Sequence, residues 1–339
     1  MTQKRSIFEE VGAESAPVAS PSPGGISREK GDARRWIRAW LWGLLALVAA
    51  MMVIGGLTRL TESASPGMDL MGVDLDSVHQ WLGRATALYW AVGFIAFLAT
   101  RRIPAGYTRP LLIMGGLIGV QIVVGNWLST SGVTQSGIDV VPYRLAIHLG
   151  LTFFLYALIL WTLFKLGRSS AQNLAARRLK DRALWGMTTG LLHLTGLQIV
   201  LGALVAGLDG GRSFAEWPLM GGQFFPPSAF DLEPFWRNFF ENAGLVQFIH
   251  RIVGYLCALL AIGVLMRGRK SANSATRTAA YAAVFMVFLQ AVVGIVTVLQ
   301  AAHLHIALTH QVGALLTITV ILLARFRAGY PTEQKVSAA

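Results

Sequence analysis

Four of the chain's seven histidines, His79, His148, His250 and His310, fall in the opening turns of long apolar runs. A polar ring at membrane depth is costly, and its recurrence at matching depth marks function. Context sorts the four into two pairs. "HQWLGR" at 79–84 matches "HRIVGY" at 250–255, and "HLGL" from 148 corresponds in position to "HQVGA" from 310. Two imidazoles from facing helices are the usual axial ligands of a low-spin haem, and bundle interiors are where such sites are built. Each pair could then hold one macrocycle. Zinc or copper asks for three or four converging ligands, normally including Cys or a carboxylate, which His-only pairs in separate halves suit poorly. The single cysteine, Cys257, excludes a disulfide framework, a CxxC redox centre and a CxxCH covalent haem site.

Other residue types cluster around the histidines. Gly83 and Gly254 follow His79 and His250 by four residues, and Gly313 follows His310 by three, so each shares its histidine's helical face. Two roles are open to them: bare backbone for a flat porphyrin, or close helix packing. Haem carries two propionates, and arginine is suited to bidentate carboxylate pairing. Arg84 and Arg251 follow the histidines of spans two and six, Arg144 precedes His148 by one turn, and Arg59 ends span one. For each, snorkelling to the interface is the competing role. Asp76, three residues before His79, is the carboxylate nearest the first pair. His193, His303 and His305 read as structural or solvated, as do Arg212 and Arg237.

The elements that carry these residues follow from composition. The chain is 54% hydrophobic and 14% charged, and its apolar residues gather in blocks of about twenty, the length that crosses a bilayer as a helix. Eight spans are expected, at 39–57, 79–98, 111–128, 143–164, 183–204, 245–266, 279–299 and 306–324. "QIVVG" at 121–125 and "QAVVG" at 290–294 repeat in spans three and seven. With the histidine pairs, they predict an all-α membrane protein of two tandem four-helix bundles related by a pseudo-two-fold axis along the membrane normal. The expected divisions are a disordered cytoplasmic tail over 1–35, an N-terminal bundle over 36–168, a C-terminal bundle over 169–327 and a second tail over 328–339.

The net charge of +12 is not a nucleic-acid footprint. All the lysines, and every arginine except Arg59, Arg84, Arg144, Arg212, Arg237 and Arg251, fall in the tails and the even-to-odd connections. The positive-inside rule therefore puts both termini on the cytoplasmic side. The outer stretch from "AEWPLMGG" to "NFFENAG" is unusually aromatic and Pro-rich, and is expected to lie on the membrane surface near a pocket.

"GGLTRLTES", "QIVVGNWLSTSGV", "VPYRLAIHL", "EWPLMGGQFFPP", "QFIHRIVGY" and "ALTHQVGALL" together resemble the heme A synthase family, in its proteobacterial and mitochondrial branch. The resemblance runs from residue 55 to the end of span eight. It implies oxidation of the C8 methyl of heme O to the formyl of heme A, through an alcohol and a geminal diol, for cytochrome oxidase assembly. In family terms His250 and His310 ligate a resident haem b, while His79 and His148 hold the substrate iron. The implied setting is a multi-pass protein of a bacterial inner membrane. Its implied partners are heme O, heme O synthase, assembly factors of the oxidase, lipid and further copies of itself. Two features depart from the family: Asp76 and Gln80 stand where it has Glu and Arg, and only about seventeen residues fill a first outer loop that is usually long. The alternative from another class is a bis-histidine haem protein that carries electrons, or haem itself, without modifying it.

Overall fold

A computed structural model describes residues 31–64, 73–130 and 141–332. Of the tail expected over 1–35, residues 31–35 are the opening of the first helix and the rest lies outside the described residues. So do residues 65–72 of the short first outer loop and the end of the C-terminal tail. The described residues form α1 (Gly31–Ala64), α2 (Leu75–Ala99), α3 (Thr108–Ser129), α4 (Val141–Leu166), α5 (Ser170–Arg178), α6 (Arg182–Gly207), α7 (Gly210–Ser213), α8 (Asn238–Glu241), α9 (Ala243–Gly268), α10 (Ser274–Leu299) and α11 (Leu304–Gly329). One turn of 3-10 helix, Phe235–Arg237, precedes α8.

Eight of these helices, α1 to α4, α6 and α9 to α11, are long and apolar enough to cross a membrane. Each contains one expected span and extends it at one or both ends. The reason is capping, since the helices begin at polar residues outside the apolar blocks. The Asp74 carboxylate accepts from the amides of Asp76 and Ser77 to open α2, while Asp181, Asn242 and Asn273 do the same for α6, α9 and α10. Burial of the Asp74 carboxyl is slight, and the Ser77 hydroxyl and amide hold it below the usual carboxylate range.

Packing forms two four-helix groups. In the first, α2 touches α1 and α3, while α4 closes the ring against α3 and α1; α2 and α4 are therefore diagonal. In the second, α9 touches α6 and α10, and α11 closes the ring against both, leaving α9 and α11 diagonal. Three contacts join the groups: α4 with α6, α1 with α11, and α4 with α11. The first core is filled by large side chains such as Ile37, Leu41, Met114 and Ile159. The second uses Ala261, Ala280, Ala283 and Ala324, which bring its backbones closer. Leu315, Ile318 and Leu322 of α11 enter the first core, and the Tyr156 hydroxyl bonds Thr319 at 2.9 Å across the seam.

Candidate functional site

Each histidine sits in a helical hairpin, where residues late in an odd span lie beside residues early in the next even one. Gly55 of α1 lies under the His79 ring, where a Cβ would stand 2.8 Å from Cε1. The arrangement recurs three times. A Cβ at Gly125 would stand 3.4 Å from Cε1 of His148, one at Gly202 3.1 Å from Nε2 of His250, and one at Gly294 2.9 Å from Cε1 of His310. At Gly55, Gly202 and Gly294 a side chain would crowd the ring, whereas at Gly125 it would meet the ring at ordinary contact distance.

One turn before each glycine stand Met51, Gln121, Gln198 and Gln290. The Gln198 amide nitrogen lies 3.1 Å from Nε2 and 3.3 Å from Nδ1 of His250. That of Gln290 lies 3.1 Å from Nδ1 of His310 and donates to its backbone carbonyl at 2.7 Å. Gln121 donates to the His148 carbonyl at 3.0 Å and to the Thr152 hydroxyl at 2.7 Å. Against this row the glycines of the even spans find their place. A Cβ at Gly83 would stand 3.4 Å from Cε of Met51, one at Gly254 3.2 Å from Nε2 of Gln198, and Gly313 abuts Oε1 of Gln290. Of their two readings, close packing is the one the geometry fills, and the bare backbone at the rings belongs to the odd spans.

His79 and His148 face each other across the diagonal of the first group, with ring centres 6.3 Å apart and planes at 67°. The Nδ1 atoms of both are buried without a hydrogen-bond partner. Two imidazoles on opposite sides of one metal, each bonded through nitrogen at about 2 Å, have centres roughly 6 Å apart. Spacing and bare backbone together fit a macrocycle's iron. Among the described residues, no group of three or more His, Cys, Asp or Glu converges.

The arginines divide. Arg144, at the mouth of the first pair, donates to the Trp127 carbonyl at 2.5 Å and lies 4.5 Å over its ring. Arg59 reaches the end of α6, donating to the Ala206 and Gly207 carbonyls and pairing with Asp209 at 3.6 Å. Arg251 gathers the outer segment, donating to the carbonyls of Phe214, Glu216, Pro218 and Leu219. Arg84 is not brought to the pair: five residues place it about 140° around the helix from His79, exposed and stacked 5.0 Å from the Trp81 ring. Asp76 is exposed in the first turn of α2, where its Oδ2 accepts from Gln80 at 2.8 Å. His193 bonds the Thr189 carbonyl at 2.8 Å, and His303 and His305 lie together in the open.

The aromatic outer segment lies over the start of α9. Met220 is fully buried, and the Trp217 indole donates to the Tyr255 hydroxyl at 2.9 Å. The Glu216 carboxylate accepts the amides of Gly221 and Gly222, whose φ of 60° and 76° only glycine adopts readily. Farther along, Glu241 accepts from Tyr143 of α4 at 2.6 Å and from Arg237 at 2.8 and 2.5 Å. Burial pushes the Glu241 carboxyl up, but the hydrogen bonds from Arg237 and Tyr143 outweigh it and hold the group below the usual range.

Gln198, Met51 and the four odd-span glycines escaped the sequence reading. A signal existed in "QIVLG" at 198–202, a third copy of the motif already seen at 121 and 290. The chain is 47% identical to a heme A synthase of Ruegeria sp. (strain TM1040), over 98% of each chain. It is 46% identical to one from Ruegeria pomeroyi over 99% of this chain and all of the relative, and 43% identical to one from Paracoccus denitrificans over 98% of each. The first alignment runs over 375 positions against 339 residues here, so that relative carries segments this chain lacks. Residues 75–322 match the model of the cytochrome oxidase assembly protein family. By that match and by the relatives, the chain is a member of the cytochrome oxidase assembly protein family.

Proposed function

We propose that the chain is a heme A synthase, an oxidoreductase that converts the C8 methyl of heme O to the formyl group of heme A. The observation that carries this reading is the His79–His148 pair, whose ring centres lie 6.3 Å apart across the first group, in a chain akin to proteins of that name. In this reading the pair holds the iron of heme O, with Arg144 at the mouth for a propionate. His250 and His310 would hold a resident haem b, which would supply one-electron redox chemistry there. The overall change, methyl and water to formyl with release of four electrons and four protons, needs a proton acceptor near the substrate edge. Asp76 supplies it, oriented by the Gln80 amide. The parallel ring-like packing of the two groups supports the pseudo-two-fold axis. The basic cytoplasmic connections support an inner-membrane protein with both termini inside, receiving heme O from its synthase and passing heme A to oxidase assembly factors.

Co-expression with a heme O synthase, followed by mass measurement of the extracted non-covalent haems, tests this. Heme A or its alcohol precursor is the expected product. Unchanged heme O beside bound haem b would leave the chain a carrier.

A further inference from the structure

The four hairpins are alike in their glycine and histidine and unlike in how the ring is held. In the C-terminal group a glutamine from the odd span reaches a ring nitrogen of both histidines, Gln198 to His250 and Gln290 to His310. Neither ring of the N-terminal group has such a bond. At the position equivalent to those glutamines, Met51 stands beside α2 with no donor or acceptor suited to an imidazole. Gln121 is present beside His148 but is spent on the backbone carbonyl and on the Thr152 hydroxyl. The C-terminal counterparts of Thr152, four residues after their histidines, are Gly254 and Ala314, which offer no hydroxyl and leave the amide at the ring.

A metal-ligating imidazole is oriented by the partner of its second nitrogen, and loss of such a partner typically costs ten- to a hundredfold in metal affinity. A resident cofactor must stay through many turnovers, whereas a product must leave after one. We infer that the odd-span glutamines decide which half keeps its haem: bonded to the rings in the C-terminal group they lock both ligands, and absent or diverted in the N-terminal group they leave His79 and His148 able to let go. The inference rests on the assignment of the N-terminal pair to the substrate. It makes Gln198 and Gln290 positioning residues and makes Met51 and Thr152 the residues that keep the substrate site exchangeable.

The test uses the full chain in detergent, loaded with protohaem and mixed with excess apomyoglobin, so that haem loss is followed by absorbance. The parent chain should lose one haem fast and one slowly. Met51→Gln with Thr152→Gly should slow the fast phase about tenfold or more and leave the slow one unchanged. In reciprocal fashion, Gln198→Leu and Gln290→Leu should each speed the slow phase by a similar factor and shift the midpoint potential of the retained haem. An unchanged fast phase in the folded double variant, or an unchanged slow phase and potential in both leucine variants, overturns the inference. Should the double variant fail to fold, the leucine variants decide alone. His250→Ala and His310→Ala separate this from the underlying reading. If the slow phase survives them, the assignment of the halves is wrong whatever the glutamines do.

Discussion

At the residue scale, the histidines were legible because a polar ring inside an apolar block stands out, and their repeated context removed coincidence. The glycines beneath them were not. A sequence states which residues share a face of one helix, but which face meets a neighbour depends on the rotation between helices, and periodicity does not encode it. Of the two roles open to Gly83, it fills close packing, on Met51, while Gly55 lies at the His79 ring. The two glycines of the N-terminal pair differ in a way that substitution can read. A methyl at Gly55 would stand 2.8 Å from the imidazole, inside any real Cβ contact, whereas one at Gly125 would stand at 3.4 Å, an ordinary approach. Gly55→Ala should therefore displace His79, at a cost of about 1–3 kcal/mol. That corresponds to an apparent KM for heme O raised about fivefold to a hundredfold, and Gly125→Ala should stay within about twofold. Turnover measured against heme O concentration checks this; equal effects of the two variants would show that ring clearance does not control binding.

At the element scale, the outer segment between α6 and α9 was legible only as aromatic and Pro-rich, since its shape depends on bonds to residues far off in sequence. Arg251, expected beside a propionate, donates to four carbonyls of the segment. The far end is pinned by Glu241, which joins Arg237 to Tyr143 on α4 and so ties the segment to both helix groups. Glu241 has its carboxyl held below the ordinary value of 4.5 in the folded chain. Its contribution is therefore fully present above the unfolded value and is lost as pH falls through the folded one. Hydrogen exchange of residues 232–241 in detergent should rise on acidification below about pH 4.5, while the core of α6 stays protected. Tyr143→Phe should raise exchange in the same segment at neutral pH, reflecting about 1 kcal/mol for the lost bond. Glu241→Gln should remove most of the acid response; an undiminished response would assign it to other carboxylates.

At the scale of the whole molecule, the eight crossings were the most legible feature, because a bilayer demands about twenty apolar residues and intervening polar ones. Their ends were less so, since the caps Asp74, Asp181, Asn242 and Asn273 stand outside the apolar blocks. Orientation is the remaining global property, and it decides which side of the membrane the histidine ends and the outer segment face. The connections after α2, α4 and α9 carry "TRR", "ARRLKDR" and "RGRK", whereas the segment between α6 and α9 holds only Arg212 and Arg237 against five acids. By the positive-inside rule that asymmetry predicts a cytoplasmic location for the former. Single cysteines read it directly, because the native Cys257 is buried within α9 and should stay silent. Asp231→Cys and Ala105→Cys both fall at exposed positions, one in the outer segment and one between α2 and α3. A membrane-impermeant maleimide applied to intact spheroplasts should label the first and reach the second only after the membrane is opened. The reverse pattern would turn the protein over and put the histidine ends of all four hairpins on the cytoplasmic side.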